Sequence, residues 1–275
     1  MRKLNLEECK ELELNILSTV ADFCDKHGLR YYLTYGTLIG AVRHKGFIPW
    51  DDDVDINMPR DDYNKFLHLF NEEMKNSNYF VIDPRTKRSR HSFAKVIDTR
   101  TIKKEPGLCY HEGEELGIDI DIFPLDGMPS DDNEYQIWYK KLYHIYYVYA
   151  NKITDIRSRH TVFGKIKMLA MKLLSGAMFK TKESLLKKAE ILHSAYPYEN
   201  SEYVGSIESA YQWKGNRVKK ENFDGFVMVP FEGYSFKAPQ GYHQILTSIY
   251  GDYMKLPPID KQVTHHSNEI FWIGD

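Results

Sequence analysis

Two short runs in which acids alternate with aliphatic side chains constrain the fold of this chain more than anything else in it. The first is Asp53-Val54-Asp55-Ile56 and the second is Ile118-Asp119-Ile120-Asp121-Ile122. A strand's side-chain period of two puts Asp53 and Asp55 on one face with Val54 and Ile56 on the other, and it divides Asp119 and Asp121 from the isoleucines in the same way. Each run is expected to bury its aliphatic face and present carboxylates. Upstream of the first, a β-type run from Tyr31 to Tyr35 stops at Gly36-Thr37 and gives way to a helix expected through His44. Amides at a helix N-terminus attract anions. Carboxylates facing a polyanion would repel it without a cation between them, so the combination asks for a divalent metal and a phosphate-bearing substrate.

An isolated D-x-D is weak, because acid pairs often cap turns or face solvent. Here the Gly-Thr turn and the second acidic strand accompany it, and Asp53, Asp55 and either Asp119 or Asp121 make a carboxylate set suited to Mg2+, with Mn2+ as the alternative. A calcium-binding module is the non-enzymatic competitor, since Asp51, Asp53 and Asp55 match the first, third and fifth ligands of an EF-hand loop. It fails on the turn: the position requiring Gly is Ile56, and the position of the bidentate Glu is Asp62. A D-x-D glycosyltransferase or a nucleotidyltransferase is the enzymatic alternative. The nucleotide-sugar type usually has a long nucleotide-binding region before the motif, and here only 52 residues precede Asp53.

The chain holds 37 Lys and Arg against 39 Asp and Glu, a balance that offers no global field for nucleic acid. Cys9, Cys24 and Cys109 are odd in number and lack C-x-x-C spacing, against a disulfide scaffold or a structural zinc site and in keeping with a reducing cytoplasm. The N-terminus is acidic and helical, with no signal peptide evident, and no apolar run approaches the roughly 20 residues that cross a bilayer.

In chain order, Asn5 and Glu8 form a capping-box-like start to a helix ending at Gly28. The Tyr31 strand, the helix to His44 and a strand over 53–57 ended by Pro59 follow. A helix capped by Asp61 or Asp62 then buries Phe66, Leu67 and Phe70. Further strands are expected over 79–82, 92–97 and 116–125. The helix over 131–151 carries Tyr135, Trp138, Tyr139, Tyr143, Tyr146, Tyr147 and Tyr149, read as core packing, with a cation–π cage for a quaternary ammonium as the sharper alternative. A helix over 162–180 lines up Phe163, Ile166, Ala170, Leu173, Leu174 and Ala177 on one side, with Lys165, Lys172 and Lys180 away from it. Core packing is the default for that stripe, and peripheral docking on an anionic membrane is the alternative. Helices near 183–196 and over 242–250 complete the pattern. With no repeat or linker, one domain is expected over 1–275, with its core at roughly 28–126 and a helical and mixed accessory part at roughly 130–275.

The run YGTLIGAVRHKGFIPWDDDVDINMPRDDYNKF, together with LGIDIDIFPLDGMP and FEGYSFKAPQGYHQILTSIYGDYMKLPP, closely resembles the LicD family of phosphotransferases, related to the fukutin group. The resemblance implies an α+β fold, a nucleotidyltransferase-like mixed sheet flanked by helices, with additional C-terminal helices. It implies transfer of a phospho-alcohol, phosphocholine first and phosphoribitol next, from a CDP-alcohol donor to a hydroxyl of a cell-surface glycan or its lipid-linked precursor. Lipopolysaccharide, teichoic acid and capsule are glycans of that class. Residue by residue, Gly36 and Thr37 stand at the phosphate-holding turn, Asp53 and Asp55 at the metal-binding D-x-D, and Asp121 at the third carboxylate. Asp119 and Asp52 become neighbours of those ligands. Arg43 and Lys95 are assigned to the donor's phosphates, with ion pairing as the alternative for each; His265 and His266 are candidates for the acceptor side, with a solvent-exposed tail as the default reading of the pair. Trp50 is read as buttressing the turn. The zinc-binding cysteine cluster of some fukutin-related members has no counterpart here.

Overall fold

The structure, a computed structural model, describes residues 1–86, 88–105, 116–159, 161–208, 216–264 and 268–274. Cys109, His265 and His266 lie outside the described residues.

Asn5 starts the first long helix as the sequence predicts: its side chain accepts from Glu8 N–H while the Glu8 side chain accepts from Asn5 N–H. The N-terminal half runs β1 (Arg2–Lys3), α1 (Leu6–His27), β2 (Tyr32–Leu33), α2 (Tyr35–Ile39) continued by a π turn (Gly40–His44), β3 (Asp55–Pro59), α3 (Arg60–Glu73), β4 (Tyr79–Ile82), β5 (Ala94–Lys104) and β6 (Leu116–Met128). After it come α4 (Asp132–Ile153), α5 (Val162–Leu174), α6 (Lys182–Ser194), β7 (Tyr203–Gly205), β8 (Val218–Lys219), β9 (Phe226–Phe231), β10 (Tyr234–Pro239), α7 (Tyr242–Tyr250) and β11 (Glu269–Trp272). The architecture is α+β. One mixed sheet has the order β1-β11-β5-β6-β3-β2, with β4 added at β5 and β7 and β8 continuing from β6, while β9 and β10 form a separate hairpin.

Within the large sheet β3 and β6 pair in parallel, and the other pairings are antiparallel. That register puts Asp55 opposite Asp121. The aliphatic faces fall as the alternation predicts: Val54, Ile56, Ile118, Ile120 and Ile122 are fully buried in the main core. Helices α1 and α3 cover them, meeting through Phe23 and Phe66 edge to face at 5.5 Å.

Several boundaries differ from the sequence reading. The strand expected over 31–35 shortens to Tyr32–Leu33, because Tyr35 takes a left-handed backbone (φ 44) and turns directly into α2. The strand expected over 53–57 begins at Asp55, so Asp53 sits in the preceding loop. Helix α3 begins at Arg60 behind Pro59 with no side-chain cap, and Asp62 is instead buried against Arg30 Nε at 2.5 Å. Strand β5 runs on to Lys104 across a bulge between Asp98 and Lys103.

Helix α4 bears out core packing for part of its aromatic set: Tyr135, Trp138, Tyr146 and Tyr149 are buried, with Trp138 Nε1 donating to Leu192 O at 2.9 Å, whereas Tyr139 is half-buried and Tyr143 and Tyr147 are exposed. The reading of 162–180 needs correction. The helix ends at Leu174, Met168 is its buried residue, and Phe163, Ile166, Leu173 and Leu174 are exposed. Periodicity finds an apolar stripe, but it cannot tell which way the stripe faces.

Gly117 lies where a Cβ would meet Asp98 O at 2.1 Å and Thr101 Oγ1 at 2.8 Å. Thr101 holds this bulge by donating to Asp98 O at 2.7 Å and accepting from Ile118 N–H at 2.7 Å. Gly117→Ala is expected to destabilise the fold by about 1–3 kcal/mol through backbone displacement. Urea unfolding measures it, and an unchanged midpoint would contradict the close packing.

Candidate active site

The pairing of β3 with β6 opens onto a cavity of about 900 Å³. Asp51, Asp53, Asp55 and Asp121 supply carboxylates to it, Arg43, Lys255 and Lys261 supply cations, and Tyr35, Trp50, Phe93, Phe123, Tyr250 and Tyr253 supply rings. Gly36 lines it as well. A Cβ at Gly36 would come within 2.5 Å of Asp51 Oδ2, so the glycine lets an acid lie directly against the start of α2.

Asp55 is the carboxylate of the set whose ionisation the site most plainly opposes by burial and neighbouring acids. Burial pushes its carboxyl well above the ordinary range, the charges of Asp53, Asp121 and Asp51 push it further, and Lys95 opposes them. A set of oxygen donors under such mutual repulsion has the chemistry that a hard dication relieves. Backbone geometry holds it in place: Asp55 N–H donates to Thr37 Oγ1 at 2.8 Å, and Asp121 N–H donates to Val54 O at 2.8 Å.

The residues singled out in the sequence divide into two groups. Gly36, Arg43, Asp53, Asp55 and Asp121 come together at the cavity. Thr37 is buried behind it and turns its hydroxyl to the Asp55 amide. Lys95 is also buried, with Nζ donating to Asp119 Oδ1 at 2.9 Å and to Asp121 Oδ1, so ion pairing describes it. The Asp119 and Asp121 charges outweigh burial and hold Lys95 well above its ordinary pKa. Burial would raise Asp119, but Lys103 and Lys95 more than offset that and keep it low. Asp52 is half-buried in the same loop and does not line the cavity, whereas Asp51 does.

Arg43 is braced by the C-terminal segment: Nη1 donates to Tyr253 O at 2.6 Å, and Nε to His44 Nε2 at 2.9 Å. Among the described residues it forms no ion pair with a carboxylate. Trp50 packs partly on the main core, 6.4 Å edge to face from His44, while also lining the cavity. Phe93 and Phe123 stack obliquely at 4.4 Å, and Tyr35 meets Phe123 edge to face at 5.5 Å.

Sequence reasoning missed Glu208, which lines the same cavity from behind β6. With Asp126 and His193 it forms the only group of at least three potential metal ligands converging within 4.8 Å among the described residues. By residue type that group could take a metal, yet a protein cation already occupies it. Arg60 donates from Nε and Nη2 to the two oxygens of Asp126 at 2.7 and 2.5 Å and reaches Glu208 at 3.5 Å. His193 Nδ1 lies 3.0 Å from Asp126 Oδ2, and Tyr146 OH donates to Glu208 Oε2 at 2.9 Å. No local spacing announces this cluster, because its members come from α3, β6, α6 and the segment after β7.

A family model described as "LicD/FKTN/FKRP, nucleotidyltransferase domain" matches residues 28–154. The chain is 34% identical to the lipopolysaccharide cholinephosphotransferase LicD of Haemophilus influenzae over 98% of its own length and 99% of that protein's. This chain belongs to the LicD family. Its similarity to the human ribitol 5-phosphate transferase FKRP, 29% identity over 38% of this chain and 19% of that protein, bears out the relation to the fukutin group. The yeast mannosyltransferase regulator 4 is 29% identical over 43% of the LicD-family chain and 10% of its own length.

Burial raises Glu208 from 4.5 to about 7, with His193 and Arg60 pulling it down and Asp126 pushing it up. A carboxyl raised on folding stabilises the native state fully below 4.5, and that contribution is lost as pH climbs through about 7. His193 is also raised, so its contribution falls with rising pH in the same direction. Glu208→Gln keeps the shape and cannot ionise. Its Tm relative to the parent is expected to rise from acidic to neutral pH, and a constant difference would contradict the assignment.

Proposed function

We propose that this chain is a metal-dependent phospho-alcohol transferase that moves phosphocholine from a CDP-choline-type donor to a hydroxyl of a glycan or its lipid-linked precursor, with phosphoribitol as the second alcohol. The observation that carries this reading is one cavity combining a carboxylate set, cations and a group of aromatic rings. These are the three environments needed by a dication, a diphosphate and a quaternary ammonium. Near-full-length similarity to a cholinephosphotransferase supports choline over ribitol, since the similarity to the ribitol 5-phosphate transferase covers 38% of the chain.

Asp53, Asp55 and Asp121 would hold Mg2+ or Mn2+. The donors are all oxygen, which fits hard cations, and the repulsion raising Asp55 supports a cation there. When bound, such an ion neutralises the donor diphosphate and makes the nucleotide a better leaving group. Arg43, fixed by the carbonyl of Tyr253, presents an always-charged guanidinium to the phosphate oxygens, and Lys255 and Lys261 add charge on that side. Gly36 admits the Asp51 carboxylate against the start of α2, adding a fourth acid beside the set that would hold the ion. Trp50, Phe93 and Tyr253 are the cavity rings that would attract the trimethylammonium by cation–π interaction. The acceptor hydroxyl attacks phosphorus in line. Asp121, with one oxygen fixed by Lys95, receives the proton as the cytidine monophosphate leaves.

Asp53→Ala and Asp55→Ala are each expected to lower metal-dependent turnover of CDP-choline by at least about a hundredfold. Full activity in either variant would sink the assignment. In the same assay Trp50→Leu and Phe93→Leu should raise KM for CDP-choline by roughly threefold to thirtyfold and leave CDP-ribitol nearly unchanged. Equal effects on both donors would remove the choline contact. Thermal shift with magnesium separates the enzymatic alternatives: a larger shift with UDP-sugars or ATP than with CDP-choline favours glycosyl or nucleotidyl transfer.

A further inference from the structure

We propose that α5, with the 3₁₀ turn Ala177–Phe179 that follows it, is a docking surface for an anionic lipid bilayer. The helix turns Met168 inward and leaves its apolar stripe facing out. Phe163 is 77% exposed, Leu174 87% and Phe179 79%, with Ile166, Leu169 and Leu173 between them. Large apolar side chains this open and contiguous mark an interaction face. At the helical 100° step, Lys165 and Lys167 fall on the two borders of the stripe, where their stems can follow the apolar surface while the ammonium groups reach headgroup phosphates. Helix Val162–Leu174 contains three lysines and no acid.

A second observation adjoins it. Between α4 and α6 lies a groove of about 580 Å³ lined by Val148 and Leu185 together with Lys140, Lys141, Lys180 and Lys188. Lys180, which lines the groove, follows the exposed Phe179, so an apolar groove bordered by lysines begins one residue beyond the turn that ends the stripe. That chemistry fits acyl chains beneath anionic headgroups. A second copy of the chain fits poorly, because a two-fold contact across this face would bring lysines against lysines. Among the described residues no helix is long and apolar enough to cross a membrane. At about 20 Å the 13 residues of α5 fall short of a hydrocarbon core of about 30 Å, so the helix lies in the interface plane.

The inference does not rest on the transfer reading, since binding is measured without turnover. Flotation of the full chain with vesicles of phosphatidylglycerol and phosphatidylcholine, against vesicles of phosphatidylcholine alone, tests it. The parent is expected to float with the anionic vesicles, to be released by high salt, and to stay behind with the neutral ones. Phe163→Asp combined with Leu174→Asp should cut bound protein at least tenfold with an unchanged melting curve, and Lys165→Glu combined with Lys167→Glu should reduce it severalfold. A parent that never floats, or an aspartate pair that floats as the parent does, would overturn the proposal. So would sedimentation showing a dimer that the aspartate pair dissociates, which would assign the face to a second copy.

Discussion

The parallel pairing of β3 with β6 is the constraint on which the rest of the structure depends. It sets Asp55 opposite Asp121, while the antiparallel pairing of β5 on the other edge of β6 delivers Lys95 opposite Asp121. Slipping either register by one residue would turn the acids into the core and the isoleucines out. The burial of Val54, Ile56, Ile118, Ile120 and Ile122 under α1 and α3 is therefore also what aims the carboxylates at the cavity. Thr37 contributes in the same way, locking the start of β3 to α2 through the Asp55 amide.

Cations divide the buried acids into two classes. Asp126 is held low by Arg60, and Asp119 by Lys95 and Lys103, so these two acids are balanced by the protein's own cations, while burial still raises Glu208 beside them. Removing a partner from such a cluster would leave a buried charge exposed to its full desolvation cost. Asp55 differs: burial and three neighbouring carboxylates raise it, and Lys95 only partly opposes them. Like charges a few Å apart repel by roughly 1 kcal/mol in water and about 4 kcal/mol at an effective dielectric near 20, and a dication reverses that sign. Convergence of ligand types within a small radius favours Asp126, His193 and Glu208, and the guanidinium of Arg60 bound to Asp126 is the reason we propose the metal centre elsewhere.

Much of this was legible in the sequence because it is local. The capping box at Asn5 and Glu8, the alternation in β6 and the span Tyr242–Tyr250 each follow from short-range pattern. The α+β class and family membership were also readable, the latter from motifs spanning most of the chain. The rest depended on contacts that sequence spacing does not encode. Lys95 reads as a phosphate ligand until β5 pairs with β6 and buries its ammonium between Asp119 and Asp121. Glu208 carries no motif and acquires its environment from four distant elements, α3, α4, β6 and α6. The stripe on α5 is legible as apolar, but periodicity leaves core packing and outward docking both open, since a moment along a helix has no preferred outward direction, and the stripe faces out.

We propose the metal centre at Asp53, Asp55 and Asp121, and not at the Arg60 cluster. Anomalous diffraction at the manganese edge, from crystals of the full chain grown with Mn2+ and CDP-choline, tests this most directly. A peak is expected between Asp53, Asp55 and Asp121, beside the donor diphosphate. A peak among Asp126, His193 and Glu208, with none at the β3–β6 carboxylates, would contradict it.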